Sequence, residues 1–204
     1  MTKPRFVVRA VDIGYGNTKF VTGRPASTNS IDCDIFPSLS PRSIVDSDLG
    51  GADGFLMKRN TSKVIVGGME YEVGPDSSKA QFGNESGRVL KEDYCLSDNY
   101  RALLYGALLK MNEPHIHVLV LGLPMSTWKH YKDKLAASIT GSHKITREFE
   151  CKIEKVIVAP QPLGGFYDHG LGIGQFKAMK EQINLIIDPG FSHLTGFMRM
   201  ASRQ

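Results

Sequence analysis

Apolar and polar positions along this chain set out its elements before any chemistry is considered. Residues 6–13, with Val7, Val8, Val11 and Ile13, form a short apolar run that reads as a buried strand. A glycine-containing turn follows, and residues 19–22 leave it as a second strand, making a hairpin. Residues 30–36 predict a third strand, stopped by Pro37 and Pro41, which cannot donate to a ladder. Residues 43–61 are polar and hold Gly50, Gly51 and Gly54, so an insertion loop is expected there. Strands over 63–66 and 70–73, joined by Gly67-Gly68-Met69, predict a second hairpin. Residues 74–96 show no period and are expected to be a loop with short helical turns.

The period then changes to that of a helix. Ser97 and Asp98 cap a helix reaching about residue 112, with Ala102, Leu103, Leu104, Ala107, Leu108 and Met111 on one apolar stripe. Residues 115–123 are almost continuously apolar, the pattern of a strand covered on both faces in a parallel sheet. A second helix spans 126–139, with Trp128, Tyr131, Leu135, Ala136 and Ile139 inward and Gly141 as its stop. Residues 144–150 and 153–158 read as a strand pair, 165–181 as a glycine-interrupted helical stretch, and 183–187 as a last strand. This order predicts an α/β fold in which a mixed sheet is flanked by helices.

Composition narrows the class without naming a function. The 204 residues suffice for one large domain or one and a half smaller ones. With 41% hydrophobic and 23% charged residues the chain has an ordinary soluble composition, and its net charge of +4 is mild. Basic residues never cluster into a long run, so direct nucleic-acid binding is not expected. No apolar run approaches the roughly 18 residues of a membrane span, and Arg9 interrupts the N-terminal one. Cys33, Cys95 and Cys151 are widely spaced, which points to a reducing cytoplasm. His115 and His117 would share one face of their strand, and read as a packed or solvated pair in preference to a metal site.

The candidate chemistry lies where the first strand ends, in Asp12-Ile13-Gly14-Tyr15-Gly16-Asn17-Thr18-Lys19. Gly14 and Gly16 permit tight or left-handed backbone and close approach of a ligand. Successive amides in such a turn can cradle an anion. Asn17 and Thr18 add donors, Lys19 adds a cation, and Asp12 can take part in the oxygen-rich shell of a hydrated Mg2+. The segment is neither a Walker A loop, lacking Gly-Lys-Ser/Thr, nor a dinucleotide fingerprint, lacking the third glycine. An ordinary hairpin turn would account for it if it stood alone. A second copy of the same order, Asn184-Leu185-Ile186-Ile187-Asp188-Pro189-Gly190, stands near the other end.

Two such strand–Asp–Gly turns resemble the two phosphate loops of the actin, Hsp70 and sugar-kinase superfamily, in which two ribonuclease-H-like lobes clamp a Mg-nucleotide. Pro160-Gln161-Pro162-Leu163-Gly164-Gly165 resembles the segment that connects the lobes there. Together with Phe36-Pro37-Ser38, these motifs look most like the ParM/StbA bacterial actins, and among those the protein D family of the PRTRC system. The resemblance runs from about residue 6 to 191. It implies an actin-like N-terminal lobe over 1–165, a connecting helix and first strand of a second lobe over 166–191, and ATP with Mg2+ as ligands. Gly14, Tyr15, Gly16, Asn17 and Thr18 would cradle phosphates, with Gly190 in the second loop, and Lys19 would neutralise them. Asp12 and Asp188 would hold the Mg2+ shell through water, and Gln161, with Asp188, would serve hydrolysis. The implied function is an ATPase of plasmid or mobile-element segregation that self-associates into filaments and works with a DNA-binding adaptor in the cytoplasm. A small-molecule kinase of the same superfamily and a non-hydrolysing binding module are the alternatives.

The resemblance also implies a second lobe beyond residue 191, so this stretch is expected to supply one wall of the cleft and to bind nucleotide weakly. Residues 192–204 do not follow the family pattern. Restoring one base after Phe191 would yield Phe-Phe-Thr-Leu-Asp-Trp, the continuation the family leads one to expect. The tail is therefore expected to be out of frame and without regular structure.

Overall fold

Alternate burial of Val7, Arg9, Val11 and Ile13 fixes which face of the first strand meets the core. The computed structural model describes residues 5–23, 31–43, 59–80, 91, 93–189 and 194–200. Most of the expected insertion loop (44–58), most of the 81–92 segment and Gly190 lie outside the described residues.

Six strands make the main sheet, in the order β3 (Asp32–Pro37), β2 (Asn17–Gly23), β1 (Val8–Ile13), β6 (His115–Leu123), β8 (Glu150–Pro160) and β7 (Gly141–Lys144). β1, β6 and β8 run parallel, while β2, β3 and β7 join as antiparallel hairpin partners. This is the mixed sheet flanked by helices that the pattern predicted. A separate hairpin, β4 (Ser62–Val66) and β5 (Met69–Val73), turns through Gly67 and Gly68 at φ 58° and 82°, the left-handed pair a two-residue hairpin needs.

Helix α1 (Asp98–Met111) starts at Ser97, whose hydroxyl accepts from Tyr100 N at 3.2 Å. It stops at Asn112, which is left-handed at φ 51°. Its burial exceeds the predicted stripe, since Tyr100, Tyr105 and Gly106 are also covered. The β4–β5 hairpin packs against α1 in addition to the main sheet and adds to this burial. A Cβ on Gly106 would stand 2.5 Å from Val73 Cγ2 and 3.4 Å from Phe36 Cζ. Overpacking costs about 1–3 kcal/mol, and the helix gain of alanine over glycine is at most about 1 kcal/mol. Gly106→Ala is therefore expected to lower the denaturant midpoint, and Val73→Ala added to it should recover part of the loss. A midpoint unchanged by Gly106→Ala would show that the hairpin yields freely.

Helix α2 (Met125–Ile139) buries Leu135 and Ile139 and anchors on β8 through Trp128 Nε1, which donates to Val158 O at 2.8 Å. The strand pair after it differs from expectation. β7 occupies 141–144, and the predicted strand at 144–150 is mostly a turn. Thr146 Oγ1 accepts from Glu148 N and Phe149 N at 3.2 and 3.0 Å, a local alternative to ladder bonding. Gly141, at φ 125°, opens β7 and does not cap α2, whose C-cap is Thr140. The proline junction is shorter than expected, because α3 (Gln161–Gly172) begins at Gln161 itself, with Pro162 tolerated in its first turn. A short α4 (Phe176–Lys180) follows.

The last strand, β9 (Asn184–Pro189), lies outside the main sheet and pairs antiparallel with β10 (Leu194–Met200). Residues 194–200 were expected to lack regular structure. The unpaired edge of an apolar strand offers a row of donors and acceptors to any neighbouring segment, and this one takes them. No helix of the described residues is long and apolar enough to cross a membrane.

Candidate functional site

Because β1, β6 and β8 are parallel, their C-terminal ends meet at one edge of the sheet, and the site is built there. Asp12 is the penultimate residue of β1, Gly122 lies near the end of β6, and Gln161 follows β8 as the first residue of α3. Gln161 Nε2 donates to Asp12 Oδ1 at 2.7 Å, across 149 residues of sequence. A carboxylate only accepts, so this bond fixes the amide's orientation and leaves Gln161 Oε1 directed elsewhere. Lys19 stands directly opposite Asp12 in the β1–β2 register and is exposed. Asp12, Lys19, Asp34, Gln161 and Gly122 contribute to the lining of an open cleft of about 580 Å³ with mostly apolar walls.

The turn beside it is pinned to the core. Gly14 N donates to Asn17 O at 3.1 Å, and a Cβ on Gly14 would lie 3.3 Å from that oxygen. Neither Gly14 nor Gly16 uses left-handed backbone, so the turn needs glycine at position 14 for space and not for φ. Ser38 N donates to Gly16 O at 3.0 Å, and Thr18 Oγ1 shares a 3.0 Å hydrogen bond with Ser38 Oγ. Thr18 is fully buried, so its hydroxyl braces the turn from below, whereas Asn17 is exposed. Tyr15 rests on Tyr94 at 5.5 Å between ring centroids, and Tyr94 meets Tyr100 edge-on at 5.7 Å. Burial raises the phenol pKa of Tyr15, and the Cys95 thiol adds to the shift. Tyr100 is held well above its ordinary value, first by burial and then by Cys95, Asp12 and Tyr94. Its hydroxyl has no hydrogen-bond partner among the described residues.

Of the residues singled out from sequence, Asp12, Lys19 and Gln161 come together at the cleft. Gly14, Tyr15, Gly16, Asn17 and Thr18 form the adjoining turn. Asp188 lies in β9, which belongs to a separate two-stranded sheet, and Gly190 is outside the described residues. Gly122 was missed. A Cβ there would stand 2.9 Å from Gln161 Cγ and 3.2 Å from Asp12 Oδ1. The available signal was a lone glycine in an otherwise apolar strand, which marks close approach of another group. Asp34, also missed, belongs to a segment read only as a strand, and Ser38 was noted only within the Phe36-Pro37-Ser38 motif, without a role at the turn.

Mg2+ takes oxygen ligands and keeps several waters, and the donors at hand suit it. Asp12 commits Oδ1 to Gln161, leaving Oδ2 for a metal-bound water, and exposed Lys19 on the same face supplies positive charge for phosphate.

Residues 10–164 match the family model described as actin-like proteins N-terminal domain. No curated protein sequence matches the chain significantly. Among solved structures, it is similar to an AlfA filament bound to AMPPNP, at TM-score 0.60 and 14% identity, covering 97% of this chain and 71% of that one. It is also similar to the apo ParM protein of pSK41, at TM-score 0.62 and 19% identity, with 91% and 59% covered. The archaeal actin homologue Ta0583 in complex with ADP matches at TM-score 0.59 and 22% identity, with 90% and 52% covered. The chain thus spans between half and three-fifths of the length of the last two neighbours, and at these identities the likeness is one of fold.

Proposed function

The chain belongs to the actin-like proteins through their N-terminal domain, and we propose that this lobe forms one wall of a Mg-ATP site in a filament-forming ATPase. The observation that carries the proposal is the Asp12–Gln161 hydrogen bond, which joins the end of β1 to the start of α3 beside the Gly14–Gly16 turn. Neighbours of the same fold support it, one solved as a filament with AMPPNP and one with ADP. The finer assignment, resting on motif resemblance, is a ParM/StbA-type segregation ATPase of a plasmid or mobile element. Within that type the motifs resemble those of the protein D family of the PRTRC system. It would act in the cytoplasm with a DNA-binding adaptor, and Asp188 and Gly190 would contribute to its second phosphate loop.

In this reading bound Mg-ATP supplies the transferable phosphoryl group and a metal that neutralises its charge. Asp12 would help hold the hydrated Mg2+ by accepting through Oδ2, the oxygen not engaged by Gln161. Gly14 N is committed to Asn17 O, so the remaining amides of the 15–17 turn and the Lys19 ammonium would face phosphate oxygens. Gln161, its amide held by Asp12, offers Oε1 to a water and sets that water's direction. An amide is a poor base, so this arrangement positions water without taking its proton, and slow turnover follows.

Gln161→Ala in the full-length protein separates these roles. Pelleting and light scattering with Mg-ATP should persist while phosphate release falls by about tenfold or more, the size of a lost positioning contact. Loss of ATP-dependent pelleting in the wild-type protein would overturn the filament assignment. Unchanged phosphate release in Gln161→Ala would remove Gln161 from the reaction.

A further inference from the structure

The end of the sheet opposite the Asp12 edge carries a second constellation, which the proposed function does not use. His115 and His117 stack with ring centroids 4.5 Å apart, and Glu154 of the neighbouring strand reaches His115 Nε2 at 2.8 Å. One ring nitrogen of each histidine and one carboxylate oxygen of Glu154 all lie within 4.8 Å of one another. His115 and Glu154 are each more than two-fifths exposed, and His117 is half-buried between His115 and the Phe6 ring, 4.7 Å away.

A break in the strand pattern produces this grouping. Both His117 N and Val118 N donate to Val7 O, at 3.0 and 3.2 Å, as in a β-bulge. Burial slips phase there, from Ile116 to Leu119 and Leu121, and on β8 Glu154 and Lys155 are exposed in succession after buried Ile153. Two strands therefore present three donor side chains on one short ridge, with backbones held by the parallel β6–β8 ladder. Such rigidity lowers the ordering cost of binding.

The geometry points to a divalent transition-metal site of the Zn2+ class, with His115, His117 and Glu154 as ligands and water completing the shell. Two imidazoles and a carboxylate suit Zn2+, whereas Mg2+ and Ca2+ prefer all-oxygen shells. Metal–nitrogen bonds of about 2.0–2.1 Å require the widest donor pair to close by about 1.5 Å or less, within reach of half-exposed side chains. The hydrogen bond between His115 and Glu154 is the contact a metal would replace. Val7 N donates to His117 Nδ1 at 3.1 Å, so the neutral ring carries its proton on Nε2. Metal at Nε2 requires that proton to move to Nδ1, which releases the Val7 amide and links loading to the start of β1. About seven residues of β6 separate the ridge from Gly122, roughly 23 Å at strand rise, so metal and nucleotide do not compete for donors.

Calorimetric titration of the full chain with Zn2+, and Co2+ absorption spectroscopy, test the site. Expected are one Zn2+ per chain, affinity at least about tenfold weaker in Glu154→Gln and in His115→Ala, and no Co2+ visible bands in the double variant. His130→Ala, which removes an exposed histidine elsewhere, should change nothing. Amide NMR should show Val7 shifting on Zn2+ addition in the wild type and not in Glu154→Gln. Glu154→Gln is nearly isosteric and exposed, so it keeps the test valid if His115→Ala fails to fold. Equal Zn2+ affinity in wild type and Glu154→Gln, or a loss in His130→Ala as large as in His115→Ala, would overturn the proposal.

Discussion

Asp12→Ala is expected to abolish nucleotide-dependent assembly of the full-length protein while leaving its fold in place. The substitution removes the oxygen that would accept from the Mg2+ shell and also the acceptor that orients the Gln161 amide at 2.7 Å. Losing a metal-shell oxygen costs several kcal/mol, and about 3 kcal/mol corresponds to roughly a hundredfold in affinity or rate. The stability cost is smaller, on the order of 1.5–3 kcal/mol for a hydrogen bond to a charged group. Far-UV circular dichroism should therefore be little changed. Asp12→Asn separates the two functions of the side chain. It keeps an oxygen for Gln161 but loses the charge, so assembly should fall at low Mg2+ and recover partly at high Mg2+. Assembly of Asp12→Ala at wild-type ATP concentration would show that Asp12 merely ends a strand.

Asp12 was legible because the sequence places it between a Val-rich run and a glycine turn, and strand register follows from alternation. Its contact with Gln161 was not legible from either segment. It depends on β1, β6 and β8 being parallel neighbours, which brings together residues that local pattern cannot relate. The turn teaches a complementary lesson. Its glycines suggested close approach of a ligand, and Thr18 was counted among the donors facing it. Thr18 is instead buried against Ser38, and Gly14 is limited by the Asn17 carbonyl. Composition shows which groups are present, while burial decides which of them face the cleft. The misplaced β7 has a similar origin. Residues 144–150 contain strand-forming types, yet the Thr146 hydroxyl satisfies two backbone amides locally and closes a turn. The His115–His117 pair was seen to share a face, but Glu154 could be added only once the β6–β8 register was known.

The largest stability effect should come from a residue that the apolar pattern does not explain. Arg9 sits in the centre of the β1 run with its side chain 6% exposed, paired with Glu113, which is 16% exposed. Arg9 Nη1 also donates to Val8 O at 2.9 Å, while Nε has no partner among the described residues. Glu113 is thus the only carboxylate pairing with this guanidinium among the described residues, and Arg5, largely exposed at 3.0 Å from Glu113, is a second cation on the same carboxylate. Removing one partner of a buried pair leaves an uncompensated charge and costs about 3–5 kcal/mol. Glu113→Ala should lose that much in denaturant unfolding, a large share of the roughly 5–15 kcal/mol typical of a domain. The exposed Arg5 contact accounts for about 1 kcal/mol at most. Arg9→Met combined with Glu113→Leu removes both charges and should return close to wild-type stability, since apolar replacements of such pairs are often neutral. A Glu113→Ala loss below about 1 kcal/mol would mean that water reaches the pair. Arg9 and Asp12 occupy the same strand, so the double variant provides a further check: restored stability should come with restored Asp12–Gln161 geometry and an intact nucleotide response.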